Sequence, residues 1–391
     1  MDVAFSKFRN HRDPTLYDSR IVIVNTGITD RPEVAAAIDY FEKKDVGAIG
    51  IDLMFDTVYH LKGDTLLNQA LSASSKAVLG FSFKELKGEY SSVSDLKSDP
   101  YFANGISKGY VNIASNDGFS IRAFEPFHKI GALEEKAFAV SIIEKLDTTI
   151  TKDLKSRNHV KEWINFRRKQ PGLQNEIFPI NKDKVTHYTQ INIDRLLSDT
   201  ALYKREFWKD KIILMGFCGE SDQSFSMKDR YYTPLNEQYS GKSYPDMHGV
   251  VIHANIISML LDRKTDMIND VSDAWVYFIS FCIFFANYFI FRVLLKKHLF
   301  FLVPLVRVIQ ILQFILFFSL CIYLLVNFNI KLSFITIITA VILSFELFEF
   351  YEHKLKKRMQ SRVESFAQFL TTIPQYFKTK KIIIQDEINI D

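Results

Sequence analysis

The sequence predicts an α/β domain with a mixed, mostly parallel sheet flanked by helices, followed by an all-α bundle of three transmembrane helices. Strand-like apolar runs alternate with amphipathic segments over roughly the first 265 residues. Long apolar runs then follow one another closely. The mean hydropathy is near zero, yet many of the 35 Phe lie after residue 274, so the average hides a polar first part and an apolar second part.

Buried parallel strands are predicted where β-branched and other apolar residues run without interruption. These runs cover residues 20–27, 46–55, 76–83 and 209–218. Amphipathic helices are predicted over residues 31–45 and 63–74, between the first three strands. Short links between strand and helix favour parallel pairing through right-handed crossovers.

The middle of the domain is less regular. An Asn116-Asp117-Gly118 turn favours a hairpin of residues 110–113 and 121–124. The remaining predictions are helices over 134–146, 191–199 and 248–262, a strand over 162–167, and loops over 168–190 and 219–247.

Membrane helices are predicted over residues 274–295, 308–328 and 332–350. Each run is near the ~20 residues that cross ~30 Å of hydrocarbon. Buried helices of a soluble core are the alternative, but these runs have no polar face to turn to water. Residues 1–270 then form the soluble domain, and residues 351–391 form a tail.

Basic residues predict the orientation, because they concentrate on the cytoplasmic side of membrane proteins. One side carries Arg292, Lys296, Lys297, Arg307, Lys354, Lys356, Lys357, Arg358 and Arg362. The other side carries Arg263, Lys264 and Lys331. We therefore expect a multi-pass protein of the inner membrane, with the domain on the outer side and the tail in the cytoplasm. That arrangement needs an apolar anchor before the domain, and we expect this anchor to be missing from the gene model.

Composition excludes several functions. The net charge of +4 is too small to predict a nucleic-acid partner. Only Cys218 of the three cysteines lies in the domain, which excludes an internal disulfide and a cysteine-rich metal site there. The HExxH, GxSxG and nucleotide-binding spacings do not occur, so we expect no cofactor and no enzyme.

Several segments resemble the type 2 CHASE domain, an extracellular sensory module of bacterial cyclases and histidine kinases. The most specific are "WKDKIILMGFCGESDQSFSM" and "MHGVVIHANIISMLL", and "IVIVNTG", "GAIGIDLMF" and "NIASNDGFSIRAFEP" also match. The resemblance covers residues 5–350. It implies a sensory function and the three membrane helices that usually follow the domain.

The chain departs from the family pattern in two ways. The family normally has an N-terminal anchor. Its members usually carry a cytoplasmic kinase or cyclase, whereas roughly 40 residues follow the last span here, too few for such a domain. The resemblance therefore implies an extracytoplasmic sensor that binds a small-molecule ligand or a protein and signals to a separate membrane or cytoplasmic partner.

Candidate binding residues follow two of the predicted strands. Asp52 ends one strand, where open α/β sheets place binding groups, and Asp56 follows it. A glycine-rich turn follows another strand and can present N–H groups to an anion. The residues of that turn are Gly216, Gly219, Ser221 and Asp222. The alternatives are a helix-capping or loop carboxylate for Asp52, and an ordinary strand-ending turn for the glycine-rich segment.

His253 and Asn255 on the last helix of the domain are the other candidates. His253 lies one turn after Gly249, and the missing side chain of Gly249 would leave space beside the imidazole. The alternative is a core histidine that bonds to the backbone.

Two further functions stay open. A membrane-anchored hydrolase would use Asp52, Asp56 and His253, and requires them to converge on one pocket. A structural scaffold of a membrane complex would instead show no pocket and one large apolar patch.

Overall fold

The computed structural model describes residues 17–83, 85–86, 89–90, 99–113, 120–130, 133–169, 188–199, 203–220, 226–236, 243–295, 303–351, 361–366 and 368. Predictions for Ser221, Asp222 and the Asn116–Gly118 turn lie outside these residues. The chain divides into two compact units, Met1–Asn269 and Asp270–Asp391. The boundary falls close to the predicted end of the soluble domain.

The strands are short. In chain order they are β1 (Ile21–Asn25), β2 (Ala48–Asp52), β3 (Ala77–Phe81), β4 (Glu85–Leu86), β5 (Glu89–Tyr90), β6 (Ser107–Tyr110), β7 (Ala123–Phe124), β8 (Phe127–Ile130), β9 (Leu133–Lys136), β10 (Glu162–Trp163), β11 (Thr189–Asn192), β12 (Ile212–Gly216), β13 (Arg230–Tyr231), β14 (Met247–His248), β15 (Asn269–Asp270) and β16 (Ile330–Lys331).

The helices alternate with the main strands in the first unit and dominate the second. In chain order they are α1 (Arg31–Glu42), α2 (Lys62–Ala73), α3 (Pro100–Ala103), α4 (Phe138–Glu144), α5 (Ile150–Arg157), α6 (Ile193–Ser198), α7 (Arg205–Trp208), α8 (Gly249–Leu261), α9 (Arg263–Asp266), α10 (Asp273–Leu295), α11 (Val303–Phe328) and α12 (Phe334–Phe350).

A six-stranded sheet forms the centre of the first unit, with the order β11-β1-β12-β2-β3-β6. All of its neighbouring strands pair in parallel. The antiparallel pairs lie in separate two-stranded ladders, such as β8 with β9. The prediction of a mostly parallel sheet flanked by helices is therefore confirmed for this unit, with the antiparallel part outside the main sheet.

Both faces of the sheet are covered, because alternate residues of a strand point to opposite faces. Ile21 and Ile23 of β1 pack in one apolar cluster with α4 and α8. Val22 and Val24 pack in another with α1, α2 and the indole of Trp208. The central strands are consequently buried on both sides, which explains their uninterrupted apolar sequences.

Three local predictions are wrong. Tyr110 belongs to β6, which pairs in parallel with β3, and β7 pairs with β10 rather than with the 110–113 segment, so the hairpin does not form. Part of the predicted 134–146 helix is β9. The sequence predicted the end of a loop and the start of a helix at Thr189–Asn192, but these residues form β11, which pairs with β1. The partners of β6, β7 and β11 are distant along the chain, so local sequence does not reveal them, whereas β9 forms a local hairpin with β8.

The second unit is helical. Among the described residues, α10 and α11 are long and apolar enough to cross a membrane, over Asp273–Leu294 and Pro304–Phe328. The third predicted span is α12, whose 17 residues stop short of that length. The structure therefore supports two candidate spans clearly, where the sequence predicted three.

Polar side chains link the three helices of the second unit. Asn287 of α10 is fully buried and donates to Gln313 Oε1 of α11 at 3.2 Å and to Ser344 Oγ of α12 at 3.1 Å. Gln310 donates to the carbonyl of Val341 at 2.8 Å. Such bonds hold apolar helices together where water is absent.

Candidate functional site

A cavity of about 920 Å³ opens at the carboxyl ends of β1, β2 and β3. Crevices beyond the carboxyl ends of parallel strands are where open α/β sheets bind ligands. The described residues that line it are Thr26, Gly27, Thr29, Asp30, Arg31, Pro32, Val34, Asp52, Leu53, Met54, Phe55, Asp56, Tyr59, Leu61, Gly63, Asp64, Ser82, Val111, Phe217, Lys228 and Asp229.

Two carboxylates, Asp52 and Asp229, lie together in this cavity. Asp52 is the last residue of β2 and pairs in register with Gly216 of β12. Its carboxylate has no hydrogen-bond or ion-pair partner within the described part of the chain. Burial, and then the negative charge of Asp229, raise the pKa of Asp52 well above that of a free aspartate.

The backbone holds Asp229 in an uncommon conformation, with φ of 55°. The carbonyl of Asp229 accepts the N–H of Gly249, the first residue of α8, at 3.1 Å, and its carboxylate accepts a hydrogen bond from Tyr231 at 3.2 Å. Burial raises the pKa of Asp229 as well. A strained residue with a shifted pKa beside a cavity is typical of a functional site.

Two glycines make room for these carboxylates. A Cβ at Gly249 would meet the carboxylate oxygens of Asp229 at 3.0 and 3.2 Å. A Cβ at Gly216 would meet Val250 Cβ at 2.8 Å and Asp52 Cβ at 3.3 Å. The space that the sequence predicted beside His253, next to Gly249, is thus filled by Asp229. Both glycines allow the first turn of α8 to approach the ends of β2 and β12.

An ion pair between Arg31 and Asp64 holds another wall of the cavity. Asp64 is buried and also accepts the N–H of Tyr59 at 2.7 Å. The Arg31 guanidinium donates to the carbonyl of Thr57 at 2.6 Å and lies 4.6 Å from the centroid of the Tyr59 ring. These contacts fix the loop after β2 against α1 and α2.

Asn25 joins the loops after β1 and β12. Its Oδ1 accepts the N–H groups of Cys218 at 2.8 Å and Gly27 at 3.1 Å, and its Nδ2 donates to the carbonyl of Gly219 at 3.1 Å. Gly219 has φ of 116°, which a residue with a side chain rarely adopts. The glycine-rich turn is therefore engaged with Asn25.

The sequence-predicted residues separate into two groups. Asp52 and Asp56 line the cavity, and Gly216 lies behind Asp52. His253 and Asn255 belong to the buried middle of α8 and do not line it. The cavity thus brings together the two aspartates proposed for a hydrolase without the histidine.

His253 is a core residue. It is 4% exposed, and its ring packs edge-on against Phe138 with 5.2 Å between centroids. Burial lowers its pKa to about 4, against a smaller opposing effect of a hydrogen bond to the backbone of Val111. The imidazole is consequently neutral at physiological pH.

The side chain of Asn255 makes several hydrogen bonds to backbone groups of the domain core. Its Oδ1 accepts the N–H groups of Arg167 at 3.2 Å and Arg168 at 3.1 Å. Its Nδ2 donates to the carbonyls of Arg168 and Val251, each at 3.0 Å. The side chain therefore fastens the segment after β10 to α8.

Sequence reasoning missed Asp229, Arg31 and Asp64. Asp229 falls in a long polar segment that gives no periodic signal, so the sequence alone does not distinguish it from its neighbours. Arg31 and Asp64 look like ordinary first-turn residues of two helices. Within the described residues, no group of three or more His, Cys, Asp or Glu side chains is arranged to hold a metal ion.

The end of α8 lies in a second cluster of charges. We call residues 262–269 the exit segment, because they precede the second unit. The contacts of this segment come from several elements: Arg20 to Asp262 at 2.6 Å, Arg263 to Asp147 at 2.7 Å and to Asp153 at 2.6 Å, Arg167 to Asp266 at 2.6 Å, and Arg157 to the carbonyl of Ile268 at 2.9 Å. The exit segment is therefore fastened on several sides.

A family model described as the CHASE2 domain matches residues 18–289 of the chain. This span includes the cavity, α8 and the exit segment, and it extends into α10. Among curated proteins and among solved structures, none matches the chain.

Proposed function

The chain belongs to the CHASE2 family of extracellular sensory domains, and from that premise we propose that it is a membrane-bound, extracytoplasmic sensor. The sensor binds a small molecule in the cavity at the carboxyl ends of β1, β2 and β3. It signals to a separate membrane or cytoplasmic partner.

The observation that carries this proposal is the position of α8. Its first residue bonds to the carbonyl of Asp229 in the cavity. Its last residue is followed directly by the exit segment, about 20 Å away for a helix of 13 residues. A single helix therefore connects the cavity to the segment that enters the second unit.

Signalling requires two states that differ in ligand affinity. In our proposal a ligand between Asp52 and Asp229 shifts the first turn of α8, and the ion pairs of the exit segment respond. Exposed ion pairs are weak individually, so they can exchange partners at small cost. Asp266 is buried and gives the segment one firmer attachment, to Arg167.

The membrane part follows the charge distribution of the sequence. We propose that α12 is a third membrane helix, joined to the other two by the Asn287, Gln313 and Ser344 bonds. The link after α10 and the tail then lie in the cytoplasm, and the domain and the link after α11 lie outside. The lipid bilayer surrounds the exposed aromatic rings of α10, such as Trp275, Phe278 and Phe281.

Reporter fusions test this topology. Green fluorescent protein fused after residue 300 or after Asp391 is expected to fluoresce, because both points are cytoplasmic in our proposal. Alkaline phosphatase fused after Lys331 is expected to be active, because that point is outside.

Exchanging the two reporters at each position is the control and should reverse each signal. A chain with two spans places residues 331 and 391 on the same side of the membrane, so equal signals at these two points would contradict the third span.

The two other functions have less support. A hydrolase would need His253 in the cavity, and this residue packs in the core against Phe138. A scaffold would need no pocket, and the cavity argues against it.

A further inference from the structure

We infer that the ligand of this cavity is an organic amine, a molecule with a positively charged head and an apolar body. This inference rests on the proposed function, because it names the ligand class of the same site. It comes from the charges and the walls of the cavity.

The charge balance favours a cation. The described lining contains five carboxylates, of Asp30, Asp52, Asp56, Asp64 and Asp229, and two basic side chains. Arg31 is already paired with Asp64. Lys228 lies over the Phe217 ring, with Nζ 5.0 Å from its centroid. One lysine thus faces the remaining carboxylates.

Asp52 is the group that a ligand would satisfy. Its carboxylate lines the cavity but has neither a hydrogen bond nor an ion pair among the residues that the structure describes. Two adjacent carboxylates repel each other unless a proton or a cation lies between them, and Asp52 is only partly exposed to water that could screen this repulsion. An ammonium group supplies both the charge and the N–H donors that this pair lacks.

The walls select an organic cation over a bare ion. Phe55, Tyr59, Met54 and Phe217 line the same cavity and offer apolar area to the body of such a ligand. The volume of about 920 Å³ suits a small molecule. A metal ion would need more ligands converging on one point than the described residues provide.

The test uses the full-length chain in lipid nanodiscs and phenethylamine, which stays protonated below about pH 9. Calorimetry and thermal unfolding are expected to show binding. Asp52→Asn and Asp229→Asn are each expected to weaken it about tenfold or more, the usual effect of losing one charge-assisted hydrogen bond. Asp39→Asn, at an exposed position of α1, is the matched control and should leave the affinity unchanged.

The ligand class has its own controls. The neutral 2-phenylethanol and the anionic 3-phenylpropionate have similar bodies, and both are expected to bind more weakly than the amine. Tighter or equal binding of either one would overturn the cationic class and leave the cavity as a sensor site. Three other results would also overturn the inference. They are a response to Mg²⁺ alone that depends on Asp52, no binding of the amine, and amine binding that survives both substitutions.

Asp52→Asn also has a readout without ligand. The pKa of Asp52 is raised on folding, so the wild type loses stability as pH rises from the ordinary value of 3.8 towards the raised one. The ligand-free variant should therefore unfold at a higher temperature than the wild type at pH 8, and the difference should shrink below pH 3.8. A variant that melts lower than the wild type at pH 8 would show that the Asp52 carboxylate is already compensated, against the inference.

Discussion

Replacement of Asp18 by alanine is expected to lower the free energy of unfolding of the domain by about 3–5 kcal/mol, as for other buried charges that lose a partner. Asp18 is 3% exposed. It accepts hydrogen bonds from Arg20 at 2.8 Å and from Ser258 of α8 at 2.6 Å, and Arg168 lies 3.7 Å away. Alanine would remove this carboxylate from beside the buried guanidinium of Arg168.

Urea unfolding of the full-length chain, followed by pulse proteolysis, measures this effect. Asp39→Ala, which removes an exposed carboxylate, is the control and should stay within about 0.5 kcal/mol of the wild type. Equal stability of the two variants would mean that the cluster around Asp18 does not hold the C-terminal half of α8.

The same carboxylate predicts an acid limit. Burial raises the pKa of Asp18, but the bonds from Arg20 and Ser258 and the charge of Arg168 outweigh burial and lower it to about 2. Its stabilisation is therefore present above the ordinary pKa of 3.8 and is lost as pH falls through about 2. Asp18→Ala should lack this part of the acid response.

Gly109→Val is expected to destabilise the domain by about 3 kcal/mol or more, at the upper end of overpacked positions. A Cβ at Gly109 would lie 2.5 Å from Phe138 Cα and 2.9 Å from Phe138 N. These are backbone atoms at the start of α4, so no side-chain rotation relieves the overlap. The helix would have to move away from β6, and α4 packs in the same apolar cluster as α8.

Lys108→Ala is the matched control for Gly109→Val, because Lys108 is the preceding residue of β6 and is exposed. It should unfold at nearly the wild-type urea concentration. If Gly109→Val unfolds at the same urea concentration as Lys108→Ala, then β6 and α4 are not packed backbone to backbone.

The sequence predicted correctly those strands whose apolar residues match their burial in the fold. β1, β2, β3 and β12 are buried on both faces, and continuous apolar runs mark them. β6 and β11 are edge strands, each paired with one partner distant along the chain, and their sequences carry no comparable run. The Asn-Asp-Gly signal accordingly predicted a local hairpin where β6 joins the main sheet.

The candidate site was predictable only in part. Asp52 follows a recognisable strand, and its position at the carboxyl edge of the sheet follows from the fold class. Asp229 is brought to the cavity by the close approach of α8, which depends on Gly216 and Gly249 together. His253 and Asn255 share a helix with the site, but the rotation of α8 directs them into the core, and rotation is not readable from spacing alone.

Hydrogen exchange at residues 262–269 tests the coupling between cavity and exit segment most directly. We expect saturating phenethylamine to change amide exchange in the first turn of α8 and in the exit segment of the full-length chain in nanodiscs, and to change neither in Asp52→Asn. Protection confined to the cavity loops, with identical exchange at residues 262–269, would contradict the proposed transmission through α8.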